Sequence, residues 1–486
     1  MKKNVQVILF GGFVLLFAGF SPSDKKWEKS FSRLDSEVRK NSKVYQTLGD
    51  ATKSIGHRLT GSANGEKAEE YAFNLLKSYG FSDVSYQPFE VEAWMRDTVT
   101  LAIAPSSSDN FRDIPVVSLA HSPVDANLQG QIVDVGNGLE EDFEAVKEKI
   151  KGKIALANIG LSGVTGKKNL HRSEKTALAI KYGASGIIMV NGAPGKILLT
   201  GTASVTGAII SIPAVCISND SGIELRKWLI EEGPLEAHIE MHNISKSIKA
   251  RNVVATLKGK SDEKVIIGGH LDSWDLSTGA IDNGIGSFAV MDIARAFKAL
   301  KVKPERTIQF VLFMGEEQGL LGSKFFVSEL KRTGAIDKVS YMMNLDMTND
   351  PSGINAFGWN EMNNFFSSVG SAIHNVDQNY KNEAANRAGL HSDHQPFMLE
   401  GVPIAGLSGH LDPAVLQCYH ADCDDFSLVN KEQLENTVRI AAMYLYALAN
   451  TENLAAKKLS DTKTRDFLIS QGLKDELVIG QEWRWE

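Results

Sequence analysis

Three short apolar runs that break off abruptly into polar residues constrain this chain more than any other feature. Val265-Ile266-Ile267 stops at Gly268, Gly269 and His270; residues 308–313 lead into Gly315-Glu316-Glu317; residues 341–345 lead into Asp346. Short β-branched runs bounded in this way read as buried strands. Between them the spacing predicts helices. Ile285, Ala289, Ile293, Ala296 and Leu300 recur at four, four, three and four residues, an apolar stripe at helical period. Asn430, with Gln433 three residues later, resembles a capping box for a helix carrying Leu434, Val438, Ala441, Leu445 and Leu448. Further strands are expected at 253–255 and 402–407. Strands alternating with helices predict an α/β class, a largely parallel sheet covered on both faces. In such a sheet ligands collect at the carboxyl ends of the strands, where His270, Glu316, Glu317 and Asp346 follow their runs.

The rest of the chain is arranged around that unit. Lys2-Lys3, an apolar run over 5–20 and a small-x-small pattern at Ser21 and Ser23 predict a signal peptide over 1–23, and hence a secreted or periplasmic protein. An uncleaved membrane anchor is the alternative, and no cysteine follows the run to accept a lipid. Residues 24–122 are expected to open the main domain, with helices over 27–55, a helix carrying Ala68, Ala72, Leu75 and Leu76 that stops near Gly80, and a strand over 84–91. The block 123–247 has its own strands (152–156, 187–190, 212–217), helices (176–182 and about 222–230) and a glycine-rich middle (192–207), and is expected to be an inserted α/β domain. Residues 248–455 complete the main domain. Residues 456–486, charged and poorly patterned, read as a tail docked on the surface.

The formal net charge is −7, or −9 once a signal peptide with its two lysines is removed. An acidic chain without a basic stripe has no footprint for nucleic acid. The three cysteines are too few for a disulfide scaffold or a thiolate cage. Cys216 belongs to an apolar strand, and Cys418 and Cys423 either close a small loop or stay as free thiols.

Taken singly, the polar residues have ordinary explanations: a histidine after a strand is commonly structural, Glu316-Glu317 a solvated turn, Asp346 a cap. Together they need another account. Carboxylates gathered at one sheet end repel and lose hydration unless cations neutralise them. Two divalent ions balance three ligand carboxylates and one hydroxide. Imidazole and carboxylate donors without thiolate suit zinc, with manganese or cobalt as substitutes, and a pair of ions about 3.5–4 Å apart activates water while polarising a carbonyl.

Gly268-Gly269-His270-Leu271-Asp272-Ser273-Trp274-Asp275, Gly279-Ala280-Ile281-Asp282-Asn283-Gly284, Gly315-Glu316-Glu317, Asn344-Leu345-Asp346 and Tyr419-His420 resemble, in order, the motifs of the M28 co-catalytic zinc exopeptidases. Asp-Ser-Trp-Asp is most similar to the carboxypeptidase Q (plasma glutamate carboxypeptidase) branch, although Asn283 stands where that branch often has an acidic residue. Arg58-Leu59-Thr60-Gly61-Ser62 is similar to the family's amino-terminal signature, and the block 123–247 to its protease-associated insert. The resemblance implies a zinc-exopeptidase sandwich with a mixed, mostly parallel central sheet. It implies that Asp282 bridges two zinc ions, that His270 and Asp346 complete one, and that Glu317 and His420 complete the other. His410, His391 and His394 are the nearby competitors for the last position. Glu316 would be the general base, and Asp272 would hold the second nitrogen of His270. Trp274 and Asp275 shape the adjoining loop. His391-Ser392-Asp393-His394-Gln395-Pro396 is similar to a segment lining the cleft, in a contacting or a structural role. The implied activity is hydrolysis of the terminal bond of dipeptides or short peptides, from either end, with the insert restricting access. The same architecture also serves glutaminyl cyclases, whose site holds a single zinc, and non-catalytic receptor-like relatives. The expected partner is a short peptide, with a second copy of the chain as a candidate and no stable membrane partner after signal removal.

Overall fold

In the parallel register Phe313 lies beside His270, while Asn344 lies beside both Gly268 and Gly406. The strands Ser261–His270, Arg306–Phe313, Val339–Asn344 and Ile404–Ser408 therefore end at one level. Gly353–Asn355 runs antiparallel beyond Ile404–Ser408, and Leu235–Leu257 runs antiparallel beside Arg306–Phe313. The computed structural model describes residues 24–486, so the expected signal segment lies outside the described residues. Among the described residues no helix is long and apolar enough to cross a membrane.

Alternation along the strands sorts the core into two layers. Val265 and Ile267 pack on one face with Phe310, Leu312 and the helices Ile285–Ala299 and Lys431–Asn450. Ile266, Val311 and Phe313 pack on the other with residues of Leu321–Arg332 and His394–Leu399. This follows from the strand period of two: successive side chains point to opposite faces, so an unbroken apolar run needs a cover on both. The fold is thus the expected α/β sandwich with a mostly parallel central sheet flanked by helices. A helix spans Asp24–Asn41 and another Val44–Ser54, packing Phe31, Leu34, Val38 and Leu48 into the first layer.

Two features depart from the sequence reading. The strand expected to end at Val91 continues to Pro105 and pairs antiparallel with Leu235–Leu257 from Val84 to Pro105. Its far half is amphipathic, with Leu101 and Ile103 in the core of a second sheet. That sheet is built from Asp125–Asp134, Ile154–Asn158, Gly186–Val190, Ala214–Ile217 and Val116–Ser118, so one long antiparallel pair of strands, distant in the chain, belongs to both sheets. The second departure is the tail. Asp461–Ser470 and Lys474–Ile479 are helices that bury Leu468, Leu473 and Leu477 against Ile266, Val311 and Phe313. Its apolar residues are too sparse for a helical stripe, and their burial comes from a surface supplied by the rest of the chain. Cys418 and Cys423 form a disulfide, and Cys216 is buried and free.

Candidate metal centre

Each polar side chain of interest is placed by a strand end or by a turn fastened to one. His270 is the last residue of its strand. Its Nδ1 lies 3.1 Å from the backbone carbonyl of Asp272, and a carbonyl only accepts, so Nδ1 is the donor there and Nε2 is the nitrogen turned toward Asp282. The carboxylate of Asp272 is farther from that nitrogen, at 3.7 Å. It accepts instead from Thr60 Oγ1 (3.1 Å) and from the backbone N–H groups of Glu316 (3.3 Å) and Glu317 (3.4 Å). Both the backbone carbonyl and, at longer range, the carboxylate of Asp272 thus face His270 Nδ1, and the side chain also shapes the glutamate turn. Thr60 Oγ1 also accepts from Gly315 N at 2.8 Å. Arg58 is buried and donates to the carbonyls of Leu271, Thr278 and Gly279 at 2.5, 2.6 and 2.8 Å. The Arg58–Ser62 stretch therefore clamps both ends of the loop after His270 and the turn at Gly315.

Asp282 sits between two groups. Its Oδ1 is 3.2 Å from His270 Nε2, which is also 3.5 Å from Asp346 Oδ1. Its Oδ2 is 2.9 Å from His420 Nε2, which is also 3.0 Å from Glu317 Oε2. All six expected residues (His270, Asp282, Glu316, Glu317, Asp346 and His420) line one cavity of 150 Å³. His270, Asp282 and Glu317 form one set of donors close enough to share an ion, and His270, Glu316 and Asp346 another. Of the competing histidines, His391 lies 3.7 Å from Glu174, and His394 faces the carbonyl of Gly389. His391 and Gln395 line the cavity wall. Asp275 pairs with Arg96 at 2.7 Å, and Trp274 meets the ring of His420 edge-on.

Several residues support these donors, and two of them, Asp424 and Arg172, carried no signal in the sequence. Asp424 is buried and accepts from the backbone N–H groups of Ile281 (2.7 Å) and Asp282 (3.0 Å), while its own carbonyl accepts from Gly279 N at 3.0 Å. Ser392 donates to Asp346 Oδ2 at 2.6 Å, leaving Oδ1 toward His270. Arg172, from the helix Arg172–Lys181 of the second sheet's unit, reaches His420 Nδ1 at 2.8 Å, and the carbonyl of Thr200 lies 3.3 Å from the same nitrogen. Arg172 is 5% exposed, lines the cavity, and makes no ion pair among the described residues. An isolated arginine and an aspartate beside a cysteine are everyday residues, and only their position marks them, whereas Ser392 belongs to the segment expected to line the cleft.

The electrostatics ask for positive charge. Burial holds Glu316 well above the usual carboxylate range, with Glu317 and Asp346 adding to it against His270. Burial raises Glu317 as well. Burial opposes a proton on His270, yet Glu316 and Asp346 beside it keep that proton bound well above the ordinary imidazole range. Burial also pushes Asp393 up to about 8 and Asp424 up to about 7. Glu317 Oε1 is buried without a hydrogen-bond partner. Protons retained among lone pairs that face one another, and a sealed orphan oxygen, mark places where cations belong. The oxygen and imidazole donors suit zinc.

Residues 252–445 match the profile of Peptidase family M28, and residues 114–225 match that of the PA domain. The chain is similar to carboxypeptidase Q of Mus musculus, 24% identical over 84% of this chain and 86% of that protein. Among solved structures it resembles a peptidase M28 precursor from Shewanella amazonensis, with TM-score 0.75 and 26% identity over 90% of this chain and all of that one. It also resembles BSAP, a zinc aminopeptidase from Bacillus subtilis, with TM-score 0.62 and 25% identity over 86% of this chain and 97% of that one.

Proposed function

We propose, from the premise that this chain belongs to peptidase family M28, that it is a two-zinc exopeptidase cleaving the terminal bond of dipeptides and other short peptides. The observation that carries this reading is Asp282, whose two oxygens face opposite ways, one toward His270 and Asp346, the other toward His420 and Glu317. That division suits a carboxylate shared between two ions. Zinc is the assigned metal, with manganese or cobalt as substitutes. When bound, the ions supply Lewis acidity and lower the pKa of water.

The chain's own residues supply the remainder. Glu316 takes a proton from the attacking water and returns it to the leaving amine, from a position on the cavity wall beside His270 and Asp346. Asp272 holds the Glu316 backbone in place, and Ser392 keeps one oxygen of Asp346 turned inward.

Arg172 bears on which end is gripped. A buried guanidinium without a carboxylate partner is costly, and its planar fork matches a carboxylate. We assign it to the free carboxyl end of the substrate, which favours carboxypeptidase-type cleavage. Its place on the inserted unit also supports the insert's role in limiting access to chain ends. The compartment assigned is outside the cytoplasm, supported by the amino-terminal apolar run and by the Cys418–Cys423 disulfide.

The test is metal content together with hydrolysis of a panel of peptides blocked at either end, with and without chelator. Acetylated peptides should be cleaved, carboxamides spared, and activity should vanish in EDTA and return with zinc. Purified protein that holds no divalent ion and cuts equally well in EDTA would end the proposal.

A further inference from the structure

Residues from the 476–482 segment help to line the cavity. Glu476, Leu477, Gly480 and Glu482 line the same space as His270, Asp282 and Glu316. These four residues belong to the Lys474–Ile479 helix and the turn after it. The turn is closed locally, because the backbone N–H groups of Glu482 and Trp483 both donate to the carbonyl of Leu477, at 2.8 and 3.0 Å. It is held on both sides. Glu482 pairs with Lys324 Nζ at 2.8 Å and accepts from Gln395 Nε2 at 2.8 Å, which fastens it to the main domain. Glu476 pairs with Lys168, and its helix packs on Arg172–Lys181, which fastens it to the inserted unit. Leu477 is rooted in the core below. A free surface tail needs none of these fastenings, and here they converge on residues that bound the cavity.

We propose that residues 471–486 form the end wall of the substrate cavity and set the length of peptide admitted. This rests on the hydrolase reading above and deepens it. The Leu477–Glu482 turn is part of the wall of this 150 Å³ cavity. A peptide that extends toward this wall meets the turn, and moving the turn breaks the Glu482 and Glu476 links.

The experiment uses the full-length, zinc-loaded chain and compares kcat/KM for a dipeptide and a tetrapeptide ending in the same two residues. The wild type should prefer the dipeptide at least tenfold. The double variant Glu482→Ala with Lys168→Ala, which removes a link on each side, should raise the tetrapeptide-to-dipeptide ratio at least tenfold. A general loss of stability would lower both rates together and leave the ratio unmoved, and that result overturns the proposal. So does a wild type that cuts both peptides equally well. As a measurement needing no variant, a bound dipeptide should slow amide hydrogen exchange across 476–483 of the wild type, and unchanged exchange there overturns the assignment. If no peptide of any length is hydrolysed with zinc present, the hydrolase reading fails, while the exchange result still decides whether this segment bounds a peptide site.

Discussion

Asp424→Ala tests whether the turn carrying Asp282 is fastened from the His420 loop. In the folded chain this carboxylate is the acceptor for two buried backbone N–H groups, those of Ile281 and Asp282, at 2.7 and 3.0 Å. Alanine leaves both without a partner. Each buried donor so stranded costs about 1–3 kcal/mol, so the metal-free protein should lose about 2–6 kcal/mol of stability. An asparagine side chain at this position would keep one acceptor oxygen and turn an N–H₂ toward the other donor, so Asp424→Asn should lose about half as much. Part of the loss should reappear in zinc binding, since Asp282 is the shared ligand in the proposed centre. Groups that orient metal ligands are worth about 10–100-fold in affinity, or about 1.4–2.8 kcal/mol. The assays are urea unfolding of the metal-free protein and zinc competition against a chromophoric chelator. The order should be wild type above Asp424→Asn above Asp424→Ala in both. An alanine variant that binds zinc within twofold of wild type and unfolds at the same urea concentration would refute the reasoning.

Glu316→Gln should retain zinc by metal analysis yet lose about 10²–10⁴ in kcat, the range of a general base, whereas Asp282→Ala should lose zinc and activity together. Arg172→Ala should raise KM for peptides with a free carboxyl end by tenfold or more and narrow their advantage over carboxamides, as expected for loss of a partner to a buried charge. An unchanged ratio in steady-state assays would remove Arg172 from substrate binding. His121 is buried, with Nδ1 2.8 Å from Thr202 Oγ1, and burial lowers it to about 4. It stays neutral when folded but gains a proton when unfolded below pH 6.5, so its contribution is present above that pH and is lost as pH falls toward 4. The loss is about 3 kcal/mol by linkage. Urea unfolding at pH 7 and pH 4 should show it in the wild type and not in His121→Gln.

The sandwich was legible because strand burial writes itself into short unbroken apolar runs: Val265-Ile266-Ile267 must be covered on both faces wherever it lies. The helix over 285–300 was legible for the same reason, since its neighbours lie within its own turns. The outer half of the Val84–Pro105 strand was not, because its regularity comes from pairing with residues 235–242, far along the chain. Nor was the tail. Leu468, Leu473 and Leu477 make no helical stripe, and they are buried because Ile266, Val311 and Phe313 present a surface to them.

At the centre the division is similar. The residue types that can hold a metal, and their order after strands, belong to the sequence, because donor chemistry is a property of each side chain. Which oxygen of Asp282 faces which imidazole, that the backbone carbonyl of Asp272 lies nearer His270 than its carboxylate does, and that Asp424, Arg172 and the turn at 477–482 surround the site were decided only by tertiary structure. Those relations join residues far apart in the chain, 248 positions in the case of Arg172 and His420, and a contact of that range leaves no mark on the local pattern of the polymer.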